Sequence, residues 1–424
     1  MNKQNKVLVL GSGGREHAFV YKFHSDPLVS EVFCSPGNGG TDSVARNISL
    51  DLNNHEEIIQ FVKDNNIDLT VVGPENPLAD GIVDSFKKAG LVIFGPDAFC
   101  AQLESSKVFA RDIMAEYNIP HPKYYACKSK DEAMKAKDIL GLPIVLKADG
   151  LAAGKGVIIC NTEEEFDEGL DHMYEKNTFG EASQLVSVEE CLVGEELSVF
   201  AVCDGKDYKV LNTAQDHKRA YDNDSGPNTG GMGAYSPTPL STVDIISQTS
   251  KNIIEPTLQA MSDKGHPYTG FLYVGIMIVN NKPYVIEYNV RMGDPETQVV
   301  LPLLESSLYD LLYKSATDSL SSVNMKIADK TAVTVVLASK GYPHKYEKNM
   351  IINMNTKGGD LVFHAGTAIK EGKLYAIGGR VLNVVGFGKT LEEAISDAYR
   401  ISDGIEFENK YSRTDIGQKG LSYK

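Results

Sequence analysis

Residues 144–160 read IVLKADGLAAGKGVIIC, two short β-branched runs either side of a glycine-rich loop, with Lys147 and Lys155 among them. The runs predict a β-hairpin, and Gly150, Gly154 and Gly156 free the intervening backbone to lie against a ligand. Lys147 ends the first strand and Lys155 sits in the loop, so both place positive charge where phosphates would lie. The pattern is not G-x-x-x-x-G-K-[ST], which also needs a strand-to-helix context; here the next element is a strand. The favoured reading is a flexible lid over a nucleotide's phosphates, with a plain glycine-rich surface turn as the alternative.

Upstream, the first hundred residues alternate strands and helices. Strands are expected at 7–10, 32–34, 69–72 and 92–94, with helices including 55–65 and 78–89. Such alternation implies a parallel sheet covered on both faces, which binds ligands beyond the carboxyl ends of its strands. The segments at those ends are GSGGREH (11–17), PGNGGT (36–41) and GPENP (73–77). A helix is expected from about Lys107 to Tyr117, and residues 122–193 form a small α/β unit holding the hairpin. A β-rich part runs to about Asp318, residues 319–324 resemble a linker, and a compact α/β cap follows.

With 424 residues, 42% of them hydrophobic, several domains and sizeable cores are possible. The net charge of −15 disfavours nucleic acid and anionic membrane as partners. The six cysteines show no C-x-x-C pair and no zinc spacing, so reduced thiols in a cytoplasmic protein are expected. The N-terminus enters a four-residue apolar strand with no signal-peptide core, and no apolar run approaches the ~18 residues of a membrane span.

Several constellations carry chemistry. Gly11–His17 joins a strand to a helix, so Gly13, Gly14 and Arg15 are candidates for a phosphate at a helix N-terminus. A nicotinamide fold would want an acid about 20 positions on, at the end of the second strand. Glu31 lies at the wrong end of that strand. Glu75 stands where a carboxylate can accept from sugar hydroxyls. The run 186–196, VSVEECLVGEE, links two strands by a short linker whose backbone can read an adenine edge, with Glu196 and then Glu195 for the ribose. Residues 215–233 look like a long polar loop, suited to a zwitterion or a reacting phosphoryl group. In YVIEYN (284–289) a strand projects Glu287 and Asn289 from one face. That carboxylate and amide oxygen form a hard-ligand pair for Mg²⁺, and Arg291 could neutralise phosphoryl oxygens.

Together these stretches closely resemble the glycinamide ribonucleotide synthetase (phosphoribosylamine–glycine ligase) family of the ATP-grasp superfamily. The likeness rests on GSGGREHA, PGNGGT, VVGPENPL, QLESSK, LKADGLAAGKGV, QDHKRAYDNDSGPNTGGMGAYSP, GFLYVG, IEYNVRMGDPETQ, HAGT and GGRVL, from Gly11 to Leu382. It implies an α/β and α+β multidomain fold: a Rossmann-like N-terminal domain (1–104), an ATP-grasp region (105–318, lid about 122–193) and a C-terminal α/β cap (325–424). It implies ATP-dependent ligation of glycine to 5-phosphoribosylamine through glycyl phosphate in purine (IMP) biosynthesis, by a monomer with no nucleic-acid or membrane partner. A related ATP-grasp ligase acting on another purine intermediate is the alternative.

Carried over by position, the ATP site is Lys107, Lys147, Gly150, Gly154, Lys155, Gly156, Glu189, Glu190, Leu192 and Glu196. The metal ligands, for Mg²⁺ or Mn²⁺, are Glu287 and Asn289, and the catalytic set is Arg291, Lys147 and Asp216. Substrate contacts fall on Gly13, Gly14, Arg15, Gly37, Asn38, Glu75, Asp216, Lys218, Gly230, Gly231 and Asp294. Many ATP-grasp relatives carry a further metal-binding carboxylate on the preceding strand, where this chain has Gly275, and PGNGG replaces the usual PGNAG.

Overall fold

A computed structural model describes residues 4–150, 156–175 and 185–423. The predicted lid residues Gly154 and Lys155 lie outside the described residues. At the N-terminus five parallel strands run in the spatial order Arg46–Asn47, Val29–Pro36, Asn5–Gly11, Leu69–Val72, Ile93–Phe94. The central strands read VLVL and LTVV, apolar at almost every position because helices bury both faces. Chain order reverses between Asn5–Gly11 and Leu69–Val72, so the loops after those two strands open one crevice.

The helix expected over 78–89 is two helices, Glu75–Ala79 and Ile82–Lys88. Gly81 separates them at φ +84°, a left-handed conformation that residues with a Cβ rarely take.

Two antiparallel sheets follow. The smaller has the order Tyr124–Cys127, Val186–Glu190, Ile144–Ala148, Val157–Cys160, and its last two strands are the expected hairpin. The larger has the order Tyr208–Val210, Glu195–Asp204, Thr269–Val279, Lys282–Asn289. It packs on the N-terminal sheet, with Phe94 edge-on to Phe271 at 4.8 Å between ring centres.

The segment 215–233, expected as a loop, is built of short strands. Gln215–Asp216 pairs with Gly233–Ser236, which pairs with Thr331–Ser339 in the C-terminal sheet. The ATP-grasp region and the cap therefore share one sheet. Residues 319–324 are also not a solvated linker. Leu320 is fully buried and its N–H donates to Asp204, because an apolar side chain and an orphan amide both find partners against the larger sheet. Among the described residues no helix is long and apolar enough to cross a membrane.

Candidate active site

The strand Lys282–Asn289 supplies the centre of the cleft. Glu287 and Asn289, two residues apart, share a face of the sheet. Opposite Glu287 in register stands Gly275, where a Cβ would sit 2.9 Å from Glu287 Cγ, so the missing side chain makes room for the carboxylate. Glu287 keeps 32% of its side chain exposed, and Lys218 Nζ lies 3.8 Å from its Oε1. Burial alone would raise the carboxyl's pKa; Lys218, Lys107, Lys147 and Arg291 outweigh it and hold the group below the usual carboxylate range. An ionised, part-exposed carboxylate and an amide oxygen on the same face fit a hard divalent ion that keeps waters and phosphate oxygens in its shell.

Cations converge around that carboxylate from three elements. Lys147, ending the strand Ile144–Ala148, bonds the Ile286 carbonyl at 2.8 Å and Glu189 Oε2 at 2.9 Å. Burial lowers its pKa, and Glu189 pulls the other way. Lys107 opens the helix Lys107–Glu116 and donates to the Glu104 carbonyl at 2.9 Å. That helix is capped twice, by Ser106 Oγ on the Phe109 N–H and by Asp149 Oδ1 on the Val108 N–H. Asp149 follows the strand bearing Lys147, so one carboxylate ties the hairpin to the helix that carries Lys107. Lys107, Lys147, Glu189 and Glu287 line one small cavity with Leu103 and Tyr288.

The third cation, Lys218, bonds Glu196 at 2.6 Å. Glu196, Lys218 and Glu287 thus meet, whereas Glu195 turns to the chain's last residues and binds Tyr423 and Lys419. Asp216 is pushed up to about 8, first by burial and then by Glu296, Glu196 and Glu287, against the pull of Lys218. Glu190 accepts from the exposed Lys123 N–H at 3.3 Å. Among the described residues no hydrogen bond takes up the Leu192 N–H or C=O, which leaves the linker backbone open to a ligand edge. Gly150 follows the first of the paired strands and Gly156 precedes the second, with the Ala148 N–H donating to the Gly156 carbonyl.

Arg291 follows the strand Lys282–Asn289 and reaches the N-terminal domain. Its guanidinium meets Glu104 at 2.6 Å and Glu75 at 3.3 Å. Burial would raise Glu75, but Arg291 and Arg15 bring it below its ordinary value; burial dominates for Glu104, which is raised.

The glycine-rich turn at 11–14 is occupied by the chain itself. Glu16 accepts from the Gly13 N–H and from Arg15 Nε, both at 2.5 Å, and Asp294 takes the Arg15 N–H at 3.3 Å. A Cβ at Gly73 would fall 2.0 Å from Glu16 Oε1, so this carboxylate fills the crevice where a dinucleotide's pyrophosphate would sit. Gly14 packs against Asn383 and Gln298. Gly37 donates to the Gly11 carbonyl, and the Asn38 side chain is spent on the Ser12 and His364 carbonyls and the N–H groups of Gly40 and Thr41. Arg380 of the cap binds the Gly230, Gly231 and Asp294 carbonyls, and Tyr342 Oη accepts from the Gly230 N–H.

Sequence reasoning passed over Arg111, Glu104, Glu16, Arg380 and Tyr342. Glu104 and Arg380 stand inside the family-like stretches QLESSK and GGRVL. Arg111 carries no signal, since its carboxylate partner is 78 residues away.

Models of the three phosphoribosylglycinamide synthetase domains match in order: the N domain at 5–104, the ATP-grasp (A) domain at 105–297 and the C domain at 332–419. The chain belongs to this family. It is 48% identical to the phosphoribosylamine–glycine ligase of Agrobacterium fabrum, over 98% of this chain and 99% of that one. Identity to the ligase of the same name from Chlorobaculum tepidum is 45%, covering 98% and 100%. The crystal structure of the Thermotoga maritima phosphoribosylamine–glycine ligase superposes with a TM-score of 0.86 at 35% identity, covering 97% of this chain and all of that one. A biotin carboxylase from Campylobacter jejuni gives 0.73 at 14% identity over 98% and 94%, a likeness of fold alone.

Proposed function

We propose that this member of the family joins glycine to 5-phosphoribosylamine at the expense of ATP, the purine-biosynthetic step that its relatives' names describe. The observation that carries the reading is Glu287: an ionised, accessible carboxylate ringed by Lys107, Lys147, Lys218 and Arg291 and opposed by a glycine. Such a cluster suits positioning and neutralising phosphates rather than covalent catalysis.

A divalent ion, Mg²⁺ or Mn²⁺, held by Glu287 and Asn289 would neutralise phosphate oxygens there. Lys107 and Lys147 bind the phosphates, the linker through Leu192 reads the base, and Glu196 takes the ribose. A glycine carboxylate oxygen attacks the γ-phosphorus, and ADP departs with the electron pair of the broken P–O bond. The sugar's amine then attacks the acyl carbon, phosphate leaves, and the amine loses a proton. Arg291 spans the two half-sites, since the same guanidinium pairs with Glu75 and its charge helps to keep Glu287 ionised. Asp216 and Lys218 lie where glycine and the transferring phosphoryl group meet. Gly230, Gly231 and Asp294, clamped by Arg380, border the sugar phosphate with Arg15. The protein works as a cytoplasmic monomer in this reading.

The test is release of ADP by purified protein given MgATP, freshly made phosphoribosylamine and glycine, with omission of each and with formate or bicarbonate in place of glycine. ADP release is expected only with all three substrates. Turnover with formate or bicarbonate, or none with glycine, overturns the proposal, and light scattering checks the monomer.

A further inference from the structure

Four groups close a ring on the floor of the cleft. Arg111 Nη2 donates to Glu189 Oε2 at 2.6 Å and to the Ile286 carbonyl at 2.9 Å. Lys147 Nζ is 2.9 Å from the same carboxylate oxygen and 2.8 Å from the same carbonyl. The ring joins two bodies. Glu189 and Lys147 belong to the smaller sheet, which carries the hairpin; Arg111 comes from the helix Lys107–Glu116 and Ile286 from the larger sheet.

Arg111 and Glu189 make further bonds. Arg111 Nε donates to Glu189 Oε1 at 3.0 Å, Ser187 Oγ donates to that same oxygen, and Arg111 Nη1 donates to the Val285 carbonyl at 2.9 Å. All three charged residues are buried. With two cations and one carboxylate, the ring keeps one positive charge. Arg111 is paired fork-to-fork with Glu189, so the surplus belongs to Lys147. Two of that ammonium's three protons point into the ring, leaving one for an incoming oxygen.

We propose that Arg111 is a positioning residue for phosphoryl transfer: by engaging Glu189 it keeps the charge of Lys147 available to the nucleotide. Its bonds to the Val285 and Ile286 carbonyls also fix the backbone directly ahead of Glu287. Without Arg111, Glu189 has Lys147 as its remaining cation and cancels it. A lysine at 111 would keep the charge but lose the fork. The inference rests on Lys147 being a phosphate ligand, as in the proposed function.

The experiment compares Arg111→Met, Glu189→Gln, their double variant and Arg111→Lys. It reads kcat, KM for ATP, thermal midpoint, and calorimetric MgATP affinity without glycine. Arg111→Met is expected to lose roughly 10–100-fold in kcat/KM for ATP, and the double variant to regain about tenfold because a neutral amide no longer cancels Lys147. A purely structural Arg111 would move the thermal midpoint while leaving KM for ATP and the calorimetric MgATP affinity of the folded variants unchanged. A double variant no more active than Arg111→Met, or an Arg111→Met enzyme within about twofold of wild type, overturns the proposal. Should Arg111→Met fail to fold, Arg111→Lys decides: raised KM and weakened MgATP affinity support it, unchanged values sink it. Wild-type protein that binds MgATP yet never turns over glycine would defeat the ligase reading while leaving the calorimetric arm intact.

Discussion

Glu189 and Glu287 share one cleft, yet Glu189 is 1% exposed and bonded by Arg111, Lys147 and Ser187, while Glu287 keeps 32% of its side chain open and meets Lys218 at 3.8 Å. Both carboxyls sit below their ordinary range, Glu189 at about 2 despite its burial because two cations grip it directly. The difference is in what each charge is for. Glu189 is consumed by the protein and ties the smaller sheet to the helix Lys107–Glu116; Glu287 is surrounded by cations but left uncommitted. A carboxylate held at a distance by several cations stays ionised and free to take a ligand.

That contrast can be broken by experiment. Glu287→Gln keeps the shape and removes the charge, and turnover is expected to fall about 10²–10³-fold with the thermal midpoint nearly unmoved. A steady-state assay beside a melt reads both; near-normal turnover would mean that this carboxylate is not used. Glu189→Ala leaves Arg111 and Lys147 buried without their counter-charge and is expected to cost about 3–5 kcal/mol in a urea titration. A loss under about 1 kcal/mol would erase the distinction between the two groups.

A finer probe is Gly275→Ala, whose methyl would press on Glu287 Cγ. Metal affinity, read by titrating activity with Mg²⁺, is expected to weaken roughly tenfold with little change in stability. The smallest readout is pH. Glu189 titrates at 4.5 unperturbed and at about 2 in the fold. Below the unperturbed value the unfolded chain binds the proton first, so this stabilisation is present above pH 4.5 and lost as pH falls towards 2. Replacing Glu189 with Gln should flatten that limb by up to about 1.4 kcal/mol per pH unit. Glu287→Gln should flatten it less; equal slopes would show that both carboxylates are paired alike.

Much of the architecture was legible from local pattern. The apolar runs around 7–10 and 69–72 announce central parallel strands, and 144–160 announces its own hairpin, because periodicity and glycine placement act within a few residues. The errors share one cause. Residues 215–233 look like a loop because they are polar and glycine-rich, yet they form strands by pairing with one another and with Gly233–Ser236, which is itself held by Thr331–Ser339. Residues 319–324 look like a linker, and Leu320 is buried by a sheet more than a hundred positions earlier. Gly13 and Gly14 have the look of a phosphate turn; that Glu16 folds back into it is a matter of side-chain direction, which spacing does not report.

Chemistry-bearing residue types were set by sequence alone: a lysine ending a strand and a second within the glycine loop that follows, a carboxylate and an amide two apart on one strand, and motifs that fix the family. Which of the many acids stays free was decided only by tertiary structure. Glu189 and Glu287 look alike as letters. Arg111 neutralises one from 78 residues away, and Gly275 makes room for the other across a strand pair. Electrostatic pairing and steric room both depend on distances in space, and those exist only once the sheets have packed.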